Sequence, residues 1–276
     1  MRRHIHIRFP EGRRKALTFS YDDNVFQNER FIQILDAHGM KGTFNLNSGL
    51  FTSEPRSGSS TMAVEEIEKL FANGRHEVAV HSSTHPFLEQ LPPSMITYEV
   101  LQDRVDLEKR FHRIVRGMAY PMGTYSDEVV ECLKACGIAY ARTTEVTGKF
   151  TLPKDWLRMP ATAKHTNPNL MQLAEKFLKS TDYRAELFYL WGHTYEFDND
   201  NNWNVIEEFV EYMAGHEDTI WYATNIEIYE YVEDFRKLIW SADGSMVQNP
   251  TNRTLWFFLN KEIYSIKAGE LLVLEK

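Results

Sequence analysis

His81 and His85 stand four residues apart in the run His81-Ser82-Ser83-Thr84-His85. Two imidazoles at that spacing can converge on one ion, from a single helical turn or from a tight loop. Asp22 and Asp23 are adjacent acids, which at the end of a strand are ordinarily solvated loop residues and by themselves decide nothing. A third signal is His193, closing Leu190-Trp191-Gly192-His193, and a fourth is the turn-forming run Tyr120-Pro121-Met122-Gly123. The chain has only two cysteines, Cys132 and Cys136. That count excludes a disulfide framework and a four-thiolate zinc site, so any metal must be held by histidine and carboxylate. Both cysteines fall on one face of a helical pattern over 126–135 and read as small core residues.

The elements that must position these residues are legible in the hydrophobic pattern. Strand-like runs occur at 16–20, 42–46, 77–80, 115–120, 138–142, 186–191 and 219–223, and helical patterns at 28–38, 63–72, 97–111 and 126–135 separate many of them. Alternation of this kind implies parallel βα units with a covered sheet. Seven or eight units predict a distorted (β/α)7-8 barrel over residues 1–240, with an open doubly wound sheet as the alternative. After Trp240 the pattern changes to turns and three strand-like runs, so residues 241–276 read as a small β appendage. In parallel βα folds, functional groups collect at the carboxyl ends of the strands. Asp22, Asp23, His81, His85, the Tyr120–Gly123 run and His193 all fall there, and this shared position makes them a candidate site.

Composition narrows the class. With 276 residues, 43% hydrophobic and 25% charged, the chain is an ordinary globular one with room for a sizeable core. A net charge of −8 argues against a nucleic-acid partner. The one basic cluster, Arg2, Arg3, Arg8, Arg13 and Arg14, is interleaved with apolar residues and reads as an N-terminal strand. No apolar run approaches the ~20 residues of a membrane helix, and no apolar segment of a secretory signal follows Arg3. The expected location is therefore cytoplasmic by default.

In this order, the motifs resemble those of the polysaccharide deacetylases, carbohydrate esterase family 4, over roughly residues 15–225. Thr18-Phe19-Ser20-Tyr21-Asp22-Asp23-Asn24 is similar to the family's T-F-D-D-G, His81–His85 matches H-(S/T)-x-x-H, and Leu190–His193 matches the late strand ending in histidine. The resemblance implies a hydrolase of carbon–nitrogen bonds other than peptide bonds, removing acetyl groups from an N-acetylated sugar. It implies Asp23, His81 and His85 as ligands of one divalent ion, zinc first, with cobalt, nickel and manganese as alternatives. Asp22 would be the base that takes a proton from the attacking water, the Met122 N–H would meet the oxyanion, and His193 would be the acid. Asn24 replaces the family's glycine and would be expected to tolerate left-handed backbone there.

Two departures generate further expectations. The family's R-x-P-Y-G stands here as Ala119-Tyr120-Pro121-Met122-Gly123, so the arginine that holds the base is missing. Arg116, Arg142 and Arg158 are candidates to replace it, and Arg158 is the one chosen. Asp155, beside Trp156, would correspond to the acid that partners His193, with Glu196 and Asp198 as rivals. Tyr195, Phe197 and Trp203 lie past the late strand and are the candidate sugar contacts. Seven other histidines, His165 among them, read as ordinary surface or core residues. Two rival functions share the same site: hydrolysis of a non-sugar amide or cyclic imide, and a carbohydrate-binding protein without catalysis.

Overall fold

The computed structural model describes residues 4–54 and 60–274; Arg2, Arg3 and part of the Ser- and Gly-rich loop at 53–61 lie outside them. The chain begins with β1 (His6–Arg8), β2 (Lys15–Asp22), α1 (Gln27–Ala37), β3 (Thr43–Leu46), α2 (Val64–Phe71), β4 (Glu77–Val80), α3 (Pro93–Phe111) and β5 (Gly117–Ala119). Next come α4 (Asp127–Ala135), β6 (Tyr140–Val146), β7 (Met159–Ala161), β8 (Ala163–Lys164), α5 (Leu170–Lys179) and β9 (Glu186–His193). α6 (Tyr195–Asn199), α7 (Trp203–Met213), β10 (Ile220–Tyr222) and α8 (Asn225–Arg236) complete the helical part. The last strands are β11 (Ile239–Trp240), β12 (Met246–Gln248), β13 (Leu255–Leu259), β14 (Glu262–Ile266) and β15 (Leu271–Val273).

One parallel sheet runs β7-β6-β5-β4-β3-β2-β9-β8, with β10 beside the first half of β2. Its two end strands are separated along the chain by Thr162 alone, whose amide donates to Tyr189 O at 2.9 Å. Residues 159–164 therefore bond β6 through their first half and β9 through their second. The sheet closes there into the expected distorted barrel. β7 and β8 are too short to leave a hydrophobic period, which is why the sequence pattern passes over them.

β2 is buried along its whole length, and its two faces differ in kind. Leu17, Phe19 and Tyr21 point outward into a core shared with Phe31 and Leu35 of α1 and Phe209 of α7. Thr18, Ser20 and Asp22 point inward, following the two-residue period of a strand. Buried polar groups need partners, and the barrel supplies them. Thr18 Oγ1 donates to Asn225 Oδ1 at 2.8 Å, and Asn45 Nδ2 donates to Ser20 Oγ at 2.9 Å. The first turn of α8 seals this polar interior. Asn225 N donates to Thr43 Oγ1, while Glu77 accepts from Ile226 N, Thr43 Oγ1 and Tyr140 Oη.

The C-terminal strands form two small sheets, β1-β13-β14 and β11-β12-β15. β1, expected as an N-terminal strand, pairs antiparallel with β13 rather than with the barrel. Phe257, Leu255 and Ile266 pack with Phe9, Tyr231 and Val232 into a second core that also holds Leu187 of the barrel. Tyr231 of α8 ties the two ends of the chain together, donating to Arg8 O and accepting from Trp256 N. Cys132 and Cys136 are buried, with their sulfurs toward carbonyls of Pro93 and Thr97 on α3. Among the described residues, no helix is long and apolar enough to cross a membrane.

Phe257 is fully buried where the C-terminal strands meet α8. Phe257→Ala should cost ~3–5 kcal/mol and do so in a single urea transition; two separate transitions would show that the C-terminal strands unfold on their own. A second expectation concerns Glu77. Burial pushes its carboxyl up from 4.5 to about 7, against the hydrogen bonds from Ile226, Tyr140 and Thr43. The fold thus favours the protonated form, and that contribution is whole below about 4.5 and lost as pH rises through about 7. The melting temperature of wild type should fall relative to Glu77→Gln over that window, whereas a constant difference would mean that the carboxylate is charged throughout.

Candidate metal and catalytic centre

Parallel pairing sets the carboxyl ends of β9, β2, β3 and β4 side by side. Asp22 is in register with His193 on one flank and Asn45 on the other. His81, the residue after β4, donates its amide to Leu46 O at 3.0 Å. Asp22 is 2% exposed and faces the barrel interior. One of its oxygens accepts from Asn45 Nδ2 at 2.9 Å, and the other accepts from the Arg142 guanidinium. Nε2 of His81 and Nε2 of His193 lie 3.8 and 3.7 Å from that second oxygen. Burial opposes the charge, but Arg142, His81 and His193 outweigh it and take the carboxyl down to about 2.

Successive residues of a strand point to opposite faces, so Asp22 and Asp23 cannot both reach one cavity in regular β conformation. Asp23 breaks the alternation with a φ of 78°. Its amide donates to Asn45 O at 3.0 Å and its carbonyl accepts from Asn28 Nδ2 at 2.9 Å, which holds the bend. Asp23 Oδ1 then comes within 4.0 Å of His81 Nε2. Ser82, His85 and Met122 also have positive φ, at 62°, 60° and 56°. Non-glycine residues in this region cost of order 1–3 kcal/mol and persist where the surrounding structure enforces them.

Asp23, His81 and His85 each offer a ligand atom within 4.8 Å of the other two. His81 Nδ1 is 2.8 Å from Ala119 O. A carbonyl can only accept, so Nδ1 carries the proton and Nε2 keeps its lone pair toward Asp22 and Asp23. The His81 amide is anchored as well, donating to Asp103 Oδ2 at 2.9 Å. Burial, with His81 next to it, lowers the His85 pKa and favours the neutral, ligating form. One carboxylate and two imidazoles with an oriented lone pair fit a zinc-like divalent ion with coordination positions left over.

His193 lies across from this trio. Burial works against its charge, but Glu196 and Asp22 more than compensate and raise its pKa. Its carboxylate neighbour is Glu196, whose Oε1 is 3.5 Å from Nδ1. Asp155, expected in that place, instead caps its own turn by accepting from Leu157 N and pairs with Arg158. Arg158 is also displaced from expectation: it pairs with Asp127 and Asp155 at the surface. The guanidinium on Asp22 is that of Arg142, buried to 1% and stacked on Trp191 with its carbon 4.4 Å from the ring centroid. Arg142 is the register partner of Ala119, the position left without its arginine. The charge has moved one strand over, and the small Ala119 side chain stands opposite.

Other expectations divide. Met122 sits in a strained turn after β5, half-exposed at the same end of the barrel. Tyr195 is partly exposed with its ring 5.2 Å from that of His193. Phe197 and Trp203 pack against each other in the core, tilted by 38°, and are buried, so they present no face to a sugar. Asn24 does not adopt left-handed backbone; its side chain donates to Asn47 O and accepts from Asn47 N, and the positive φ belongs to Asp23. Asn45 was not anticipated. The signal for it was an asparagine alternating with apolar residues in the buried strand Thr43–Leu46.

Residues 10–141 match the polysaccharide deacetylase family model. A chitooligosaccharide deacetylase of Bradyrhizobium sp. is 27% identical over 143 residues, covering 51% of this chain and 58% of that protein. One of Rhizobium leguminosarum bv. phaseoli is 26% identical over 52% of this chain and 57% of its own length. The chain thus spans less than two thirds of these relatives. Among solved structures, one of a Mycobacterium smegmatis protein assigned to the polysaccharide deacetylases superposes with a TM-score of 0.59 at 14% identity, over 84% of this chain and 94% of that one. A carbohydrate esterase family 4 pseudoenzyme of Bacillus anthracis gives 0.50 at 16% identity, over 81% and 68%. At these identities the structures speak for the fold alone.

The two arginines can be told apart by stability. Arg142→Met strands a buried carboxylate and should cost ~3–5 kcal/mol in chemical denaturation. Arg158→Met removes a surface pair and should cost at most ~1 kcal/mol. Equal losses would mean that Asp22 is not held by the interior guanidinium.

Proposed function

We propose, for a chain that belongs to the polysaccharide deacetylase family, that it hydrolyses the N-acetyl amide of an amino-sugar glycan or oligosaccharide. The observation that carries this reading is the convergence of Asp22, Asp23, His81, His85 and His193 at one end of the barrel, with Asp22 held ionised by Arg142. Asp23, His81 and His85 would hold a divalent cation, zinc being the leading candidate. When bound, the cation supplies Lewis acidity toward the acetyl carbonyl and makes a water easier to deprotonate near neutral pH.

This chain's own residues would do the rest. Asp22 is charged at neutral pH and can only accept, so it receives the proton of the attacking water. The backbone N–H of Met122, on the turn after β5, would donate to the carbonyl oxygen as it gains charge, a contact worth ~10²–10³ in rate when such donors are removed. His193, with a raised pKa, would donate its proton to the departing nitrogen. The C–N bond breaks, and acetate and a free amine leave. Tyr195, beside His193, is the remaining aromatic candidate for contact with a sugar ring.

The test combines metal content with product analysis. Wild type incubated with zinc should bind about one ion per chain, as the donor set implies, and His81→Ala should lose it. With N-acetylglucosamine oligomers, acetate and new amine should appear in equal amounts. Asp22→Asn should keep the ion while turnover drops by ~10²–10⁴-fold. A wild type that binds no zinc or cobalt would overturn the hydrolase reading in favour of a binding protein. Ring opening of a cyclic imide without acetate would move the substrate away from sugars.

A further inference from the structure

We propose that Glu196 is the positioning residue of His193, and that Lys164 and His165, on the segment that closes the barrel, clamp it in place. The proposal rests on the reading of His193 as the proton donor. Glu196 is three residues past His193, in the first turn of α6. Its Oε1 lies 2.6 Å from Lys164 Nζ and 3.5 Å from His193 Nδ1. Its Oε2 lies 3.2 Å from His165 Nε2 and accepts from the His193 amide at 3.4 Å. One carboxylate is thus shared by two imidazoles, an ammonium and a main-chain N–H.

The clamp is built in rather than incidental. His165 is 1% exposed, and its ring stacks on Tyr21 at 5.7 Å and packs on Phe197 at 4.2 Å. Its amide donates to Trp191 O, which fixes it beside β9. The ring fills the space next to Gly192, where an added Cβ would fall 2.0 Å from His165 Nδ1. The glycine before His193 is therefore what admits the second histidine. Among the described residues, Glu196 is the acceptor within ion-pair reach of His193 Nδ1 and of His165 Nε2; both are ion-pair approaches, and neither nitrogen is in hydrogen-bond geometry with any partner. Burial opposes the Glu196 charge, yet His165, His193 and Lys164 hold it far below the usual carboxylate range.

A permanent anion at Nδ1 has one consequence for the ring. The proton of neutral His193 sits on Nδ1, and Nε2, 3.7 Å from Asp22, is the atom that gains and gives a proton in the site. The other groups facing His193 are Asp22, Asp23, His85, Trp191 and Tyr195, and Asp22 lies on the Nε2 side, where its pull favours the opposite tautomer. Without Glu196, the proton should move to Nε2 and point at Asp22, and the acid would be lost to a contact within the enzyme.

The experiment is long-range proton–nitrogen NMR of the histidine rings at pH ~8.5, above the ordinary histidine range, in the zinc-loaded protein. Wild type should show His193 protonated on Nδ1, and Glu196→Ala should show it on Nε2. Glu196→Gln keeps an oxygen toward Lys164 and Nδ1 and can turn its amide N–H to His165 Nε2, giving up only the 3.4 Å contact from the His193 amide, so it should restore the Nδ1 form. Turnover of N-acetylglucosamine oligomers should follow the same order: kcat down by about 10²-fold in the alanine variant, a smaller loss in the glutamine variant, and KM within about twofold in both. An alanine variant that keeps Nδ1–H, or glutamine and alanine variants with equal losses, would overturn the proposal. If the alanine variant fails to fold, the wild-type tautomer and the glutamine variant still decide it: Nε2–H in wild type sinks it. The tautomer is read without any substrate, so failure of the deacetylase reading is separable from failure of the clamp.

Discussion

A carboxylate buried in the middle of a barrel is the constraint around which the rest is arranged. Asp22 at 2% exposure would be strongly destabilising if it were charged and alone. Arg142 answers it from inside, equally buried and lying on the face of Trp191. Asn45 supplies a second donor, and His81 and His193 stand within 4 Å on either side. Each of these partners comes from a different strand, so the site exists only when β2, β3, β4, β6 and β9 are in register. Ala119 of β5 meets Arg142 through the β5–β6 pairing, and its carbonyl reaches His81 Nδ1 across the β4–β5 pairing. Holding the acid and orienting the first histidine thus depend on two strand pairings that share β5.

The second constraint is the backbone. Two adjacent carboxylates serve one cavity because Asp23 leaves β geometry immediately after the strand ends. His85 joins Asp23 and His81 from a loop in a similarly uncommon conformation, and Met122 takes one in the turn after β5. The polar interior below them is hydrogen-bonded in two runs, Asn45 to Ser20 and Thr18 through Asn225 and Thr43 to Glu77, and is stoppered by α8. Strained loops at one end are thus carried on a barrel whose other end is tightly satisfied. Fixed geometry of this kind suits chemistry that depends on placed donors and acceptors.

Some of this was legible in the residues. Strand and helix alternation carried the barrel, because parallel strands buried on both faces and amphipathic helices leave strong periods. The triad Asp23, His81 and His85 and the facing His193 were legible because each follows a clear strand. The arginine was not. Arg142 lies on a strand well past the motif, and nothing in a linear reading says which face of β6 looks inward or which residue it meets across the sheet. Asp155 failed as the partner of His193 for a related reason: an acid three residues on, in a helix that starts at once, is closer in space than one thirty-eight residues back. Phe197 and Trp203 are aromatic and near the site in sequence, but α6 turns them into the core.

What the sequence determined by itself was the set of chemical groups and the order of the elements that bear them. Those follow from residue type and hydrophobic period, which are local properties of the chain. What tertiary structure decided was pairing: Arg142 with Asp22, Glu196 with His193, His165 with Gly192, and β1 with the C-terminal strands. Pairing depends on register, on the inward or outward sense of each side chain, and on where a short segment such as 159–164 joins two edges of a sheet. These are set by the joint packing of residues far apart in the chain, and a buried charge accepts whichever partner that packing brings within reach.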